Sequence, residues 1–227
     1  MLLDFQSANS TITSMDVSHP IRSLITSLDA PVLEVLAGTT RPLSGREVHR
    51  LARTGSDRGV RLVLGRLVAQ GVALAEEHAG STLYVANRAH FAWPAVEILV
   101  GLRTALLDGV RDRIAAWPIA PVHASLFGSA ARRDGDEQSD IDILVVRPDG
   151  SGDDAWNDAW EAQLDALRSW VFASTGNRCQ AFDVTGSRFA EHVAAADPLV
   201  DAWRRDGIHL AGASIETLVR ASGRNSG

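Results

Sequence analysis

Two aspartates inside one apolar run are the residues of this chain best suited to chemistry. They lie in "DIDILVV" (140–146), where Asp140 and Asp142 alternate with Ile141 and Ile143. Residues i and i+2 of a strand share a face, about 6–7 Å apart, so both carboxylates point one way and both isoleucines the other. Two carboxylates on one face repel and are costly to bury. A divalent cation removes that conflict, and Mg²⁺ favours hard carboxylate oxygens shared with phosphate oxygens. Cations held so suit in-line displacement at phosphorus. Upstream, "SLFGSAARR" runs from an apolar strand pattern through Gly128-Ser129 into a short helical stretch. The first N–H groups of a helix are unpaired and lie at its positive end, which favours a phosphate. Gly128 permits close backbone approach, Ser129 adds a hydroxyl donor, and Arg132 and Arg133 add charge.

The elements that must hold these groups alternate from Ala120 onward. "PVHASLF", "DIDILVV" and "CQAFDVT" read as strands, and "DDAWNDAWEAQLDALRSWVFASTG" as an amphipathic helix between the last two. "GSRFAEHVAAA" and "PLVDAWRRDG" read as helices, "IHLAG" as a short extended piece, and "SIETLVRA" as a last helix. The tail "SGRNSG" is expected to fray.

Gly-Ser, a ten-residue spacer and Asp-x-Asp on an apolar strand together resemble the nucleotidyltransferase superfamily of DNA polymerase β, in its minimal branch, over about residues 120–220. The resemblance implies an α/β domain with a small mixed sheet, a nucleoside triphosphate such as ATP as substrate, and Mg²⁺ or Mn²⁺ as cofactor. It implies that Gly128 and Ser129 take the β and γ phosphates and that Asp140 and Asp142 hold the metals. An acceptor hydroxyl then attacks the α-phosphate and releases pyrophosphate. It further implies a third carboxylate on a later strand, as metal ligand and general base, and "QAFDVT" offers Asp183. The acceptors it implies are a protein hydroxyl, as in toxin–antitoxin systems, an RNA end, or a small molecule such as an aminoglycoside. One departure is visible: many members carry arginine directly after Gly-Ser, where this chain has Ala130.

The N-terminal half has a different pattern. Asp29 is placed to cap a helix with Pro31 in its first turn, and Ser44 with Glu47 three residues later forms a capping box. Ser56 is placed to cap a third helix bearing Val60, Leu64, Leu67 and Val68. "VALAEE" and "STLYVAN", joined through "HAG", read as a hairpin. Three short helices and a hairpin resemble a winged helix-turn-helix, which implies DNA binding through the third helix. The expected contacts are Ser56, Arg58, Arg61 and Arg66. Such modules often dimerise, so a homodimer is expected. An alternative reading is a DNA-binding regulator that uses the second module as a nucleotide sensor.

The expected organisation is therefore α+β, with an N-terminal extension (1–27), a winged helix-turn-helix (28–90), a connecting helix (91–118), a nucleotidyltransferase domain (119–220) and a flexible tail (221–227). Charge follows that division: residues 1–90 carry +1 and residues 91–227 carry −7, within a net −6. All 22 basic residues are arginine, which excludes a Walker A lysine or a Schiff base. The single cysteine, Cys179, excludes an internal disulfide and reads as a buried, inert thiol. The seven histidines lack metal-ligand spacing, and the six tryptophans read as helix packing. No apolar run reaches membrane-spanning length and the first residues do not read as a signal peptide, so a cytoplasmic location is expected.

Overall fold

A computed structural model of the chain describes residues 14–149 and 153–224. Residues 1–13 of the expected extension and 225–227 of the expected tail lie outside the described residues. The chain divides into two compact units: residues 19–106, and residues 14–18 with 107–224. The division falls inside one helix rather than at its ends.

The first unit contains α1 (Ile21–Leu24), α2 (Asp29–Ala37), β1 (Leu43–Ser44), α3 (Gly45–Ala52), α4 (Asp57–Ala69), β2 (Ala73–His78), β3 (Ser81–Ala86) and the first part of α5 (Trp93–Ala115). Its sheet is antiparallel, in the order β1-β3-β2. The capping box forms: the Glu47 N–H donates to Ser44 Oγ, and the Ser44 N–H donates to the Glu47 carboxylate at 2.8 Å. Ser56 caps α4 by accepting from the Gly59 N–H. Asp29 is not the cap of α2; it lies in the first turn, its carboxylate bound by the Ser27 hydroxyl and by Arg66. The hairpin loop is Ala79-Gly80, both left-handed, so His78 pairs with Ser81 and the turn is one residue shorter than "HAG". Strand β1 has no signal in the sequence. Val32, Leu36, Leu43, Val48, Val60, Leu64 and Trp93 form the core of this unit.

The second unit holds the rest of α5, then β4 (His123–Phe127), α6 (Gly128–Arg132), β5 (Ile141–Arg147), α7 (Asp154–Thr175), β6 (Cys179–Thr185), α8 (Gly186–Ala194), α9 (Pro198–Asp206), β7 (Ile208–Gly212) and α10 (Ile215–Arg224). Its sheet runs β6-β5-β4-β7, with β5 and β6 parallel and the other pairs antiparallel. The two parallel strands require a crossover, and α7 supplies it. The sheet is mixed, as the resemblance implied.

Alternation gives this sheet two different faces. Leu144 and Val146 of β5 pack with Phe189, Val200 and Trp203 from α8 and α9, and with Leu218 and Val219 of α10. Ile141, Ile143 and Val145 point to the opposite face, and all three are buried. Tryptophans pack helices, as expected: Trp160 stacks on Trp156 and meets Trp117 edge-on, while Trp203 lies among Phe127, Phe182 and Phe189. No described helix is long and apolar enough to cross a membrane.

Candidate active site

Asp142 is placed by the centre of the sheet. It pairs across the antiparallel ladder with Phe127 of β4, so the residue after Phe127 comes directly against its carboxylate. That residue is Gly128, at φ +72°, where a Cβ would lie 2.5 Å from Asp142 Oδ2. Glycine is needed here twice over, for the left-handed backbone and for the contact. Ser129 opens α6, and its hydroxyl faces the backbone of Gly135, where a Cβ would lie 3.1 Å from Ser129 Oγ and 2.9 Å from Ser139 Oγ. The spacer therefore folds back on the Gly-Ser step. A tight turn holds it: the Asp136 N–H donates to Ser139 Oγ, and the Gln138 N–H donates to Asp136 Oδ1.

Burial first, and the neighbouring Asp140 second, push the Asp142 carboxyl above its ordinary value; Arg132 opposes them. This is the electrostatic state of a carboxylate pair that favours a cation between its members. The donors are hard oxygens, as Mg²⁺ or Mn²⁺ requires. Among the described residues no three His, Cys, Asp or Glu side chains gather to hold a metal. Asp140 and Asp142 are the side chains that would hold such a cation.

Arg132 and Arg133 behave differently from each other. Arg132 donates to Asp134 at 2.9 Å and to Asp206 of α9 at 3.4 Å, so it is already engaged. Arg133 is the left-handed residue closing α6, exposed, and forms no ion pair among the described residues.

Asp183 is not brought to the pair, and the reason is strand register. In the parallel ladder Asp142 lies beside Gln180 and Asp183 lies beside Val145. Val145 is on the face opposite Asp142, so Asp183 is too. There it faces α7: its Oδ2 is 3.7 Å from Arg147 Nε, and Trp160, Glu161 and Arg168 act on its charge. Burial raises its pKa, partly offset by Arg147. The carboxylate expected as third ligand and general base thus stands on the other side of the sheet.

Two residues near the pair escaped the sequence reading. Gln180 Nε2 donates to Asp140 Oδ2 at 2.7 Å. Asn177, 1% exposed, donates through Nδ2 to the carbonyls of Ser139 and Met15, while its Oδ1 accepts from the Met15 N–H. It thereby anchors the residue preceding Asp140 and ties residues near 15 to this unit. Neither amide sits in a recognisable motif; only strand parity, counted back from a known register, could have pointed to Gln180. Cys179 is half-buried rather than fully buried, and burial pushes its thiol up to about 11.

In the first unit, α4 holds Ser56 at its start and Arg58, Arg61 and Arg66 along it. Arg66 is bound to Asp29, and Arg61 donates to Asp57 at 2.8 Å. Arg58 is exposed and forms no ion pair among the described residues. Leu62, on the same helix, is 66% exposed. Glu76 and Glu77 are exposed on the hairpin.

Residues 107–178, roughly a third of the chain, match the family described as nucleotidyltransferase domain. The match ends one residue before β6, so it covers Gly128, Ser129, Asp140 and Asp142 but neither Gln180 nor Asp183. No curated protein matches the chain. Among solved structures, the chain is similar to a crystal structure of a toxin–antitoxin with AMP-PNP, at 17% identity over 53% of this chain and 86% of that one, with a TM-score of 0.35. It is similar to a mutant of the toxin–antitoxin MntA-HpeT at 19% identity, over 54% and 84%, with a TM-score of 0.31. Human N-acetylserotonin methyltransferase in complex with SAM gives 21% identity, over 42% and 30%, with a TM-score of 0.27. Each of these likenesses is too distant to carry fold or function across.

Proposed function

We propose that this chain, whose residues 107–178 match the family described as nucleotidyltransferase domain, moves a nucleoside monophosphate from an NTP to an acceptor hydroxyl, with Mg²⁺ or Mn²⁺. One observation carries the reading: the β4–β5 register sets Gly128 against Asp142, joining the phosphate step and the carboxylate pair into one site. Asp140 and Asp142 hold the cation, which supplies charge neutralisation at the α-phosphate and pyrophosphate. Gly128 keeps the start of α6 free of side-chain bulk, and Ser129 offers its hydroxyl to the phosphate chain. Arg133 is the nearer candidate for a phosphate contact, because Arg132 would first have to leave Asp134 and Asp206. Catalysis of this kind rests on positioning and electrostatics. Asp183 has no part in it.

In the same reading the first unit is a winged helix-turn-helix. Its support is the element order α2-β1-α3-α4-β2-β3 with the sheet order β1-β3-β2. DNA binding through α4 would rest on Arg58 first, since Arg61 and Arg66 have acidic partners. The acceptor is a protein, an RNA or a small molecule in a cytoplasmic setting, and a homodimer is the expected assembly.

The test incubates the protein with Mg²⁺, each α-labelled NTP and cell extract. Label transferred to an acceptor, and lost in Asp140→Ala and Asp142→Ala, upholds the proposal. Absence of transfer to any protein, RNA or small molecule, with tight sequence-specific DNA binding that an NTP modulates, replaces it with the nucleotide-sensing regulator.

A further inference from the structure

On the site face, β6 has three positions to offer: 180, 182 and 184. Phe182 lies against Trp203 and His192, and Val184 belongs to the apolar cluster beneath α8 and α9. Only position 180 lies beside Asp142 and reaches the carboxylate pair. A third carboxylate on this strand would have to stand there, and the residue is glutamine. Its amide contact has one chemical sense. An ionised carboxylate only accepts, so Nε2 must donate to Asp140 Oδ2, and the distance of 2.7 Å is that of a charge-assisted hydrogen bond.

We infer that Gln180 is a positioning residue for Asp140, and that this site holds its cation with two carboxylates oriented by an amide rather than with three carboxylates. The donated hydrogen bond occupies Asp140 Oδ2 and fixes the rotation of the carboxylate, leaving Oδ1 for the cation. Outer partners of metal ligands act in this way, and their loss typically costs metal affinity or activity. Gln180 is exposed at the open end of the site, so its removal leaves no buried group unsatisfied. A consequence is that no β6 side chain takes the proton of the acceptor hydroxyl. The inference rests on the proposed cation-dependent transfer.

Its test reads cation binding directly, with Mn²⁺ titrated into the protein and a non-hydrolysable NTP by electron paramagnetic resonance, beside melting temperatures. Gln180→Ala is expected to weaken Mn²⁺ binding about tenfold, the lower end of the usual effect of an outer partner, at an unchanged melting temperature without metal. Gln180→Glu supplies the missing third carboxylate: it should melt lower without metal, through repulsion with Asp140, and bind Mn²⁺ more tightly than wild type. Asp183→Asn should bind Mn²⁺ as wild type does. Gln180→Ala binding within twofold of wild type overturns the inference while leaving the transfer reading intact, and so does a loss in Asp183→Asn equal to that in Asp142→Asn. Wild-type protein that binds no Mn²⁺ with the nucleotide overturns both.

Discussion

Asp142 and Asp183 sit on neighbouring strands of one sheet and face opposite ways. Burial raises the pKa of both, yet their surroundings differ in sign. Asp142 has a second carboxylate beside it, whereas Asp183 has Arg147 at 3.7 Å. At Asp183 the arginine offsets part of the burial cost from within the protein, so the opposing charge there is already supplied by the fold. Like charges gathered on one open face are a conflict within the protein that a ligand would resolve, and such conflicts concentrate at functional sites. Strand position and composition are nearly the same at the two aspartates; the neighbours decide their roles.

The sharpest break in this comparison is chemical. Asp142→Asn should cut nucleotidyl transfer by on the order of 10²–10³-fold, the usual loss when one electrostatic stabiliser is removed, as read from label transfer. Next is the response to metal: with a non-hydrolysable NTP, Mg²⁺ at ten times its Kd should stabilise wild type by about 1.4 kcal/mol, seen as a rise in Tm that Asp142→Asn lacks.

The first unit allows a similar contrast between arginines. Arg66→Ala should cost about 0.2–1 kcal/mol in stability, because it breaks the pair with Asp29. Arg58→Ala should leave Tm unchanged and lower the slope of log K for DNA against log salt by about one. Equal slopes for both variants would remove α4 as the DNA contact.

Titration separates favourable from unfavourable carboxylates. Hydrogen bonds from Ser44 hold Glu47 down at about 2, below its ordinary 4.5. A depressed folded pKa contributes stability above about 4.5 that is lost as pH falls towards 2. The stability gap between wild type and Glu47→Ala should therefore close over that fall. Asp142 is the opposite case, raised above its ordinary 3.8. Its stability contribution is complete below that value and declines as pH rises through it, so without metal Asp142→Asn should become the more stable protein above about pH 4. The smallest effect belongs to Asp183→Asn, which should keep transfer within about twofold, since a group outside the site shifts no transition-state contact. Loss of transfer there would erase the distinction between the two faces.

Much of this was legible along the chain because it is local. The capping box of Ser44 and Glu47 and the cap at Ser56 need only a few consecutive residues, and each formed where its spacing placed it. Gly128-Ser129 and Asp-x-Asp were equally readable, because the ten-residue spacer keeps them in one local unit. The long-range ion pair of α4 was not: Arg66 meets Asp29 across 37 positions, and helical spacing cannot show that partner. Asn177 was silent too, since its partners lie 38 and 162 positions away.

What the sequence by itself determined is which side chains of a given strand share a face: Asp140 with Asp142, and Gln180 with Phe182. That follows from the twofold period of an extended chain and needs no partner. Which face of β6 joins which face of β5 was decided only by the tertiary structure. Between these strands runs α7, and the packing of that crossover sets their register. A shift of one residue would exchange Gln180 for a neighbour and turn Asp183 towards the site. The parity came out with glutamine beside the aspartates and the acid against Arg147, and that single alignment separates the binding face from the structural one.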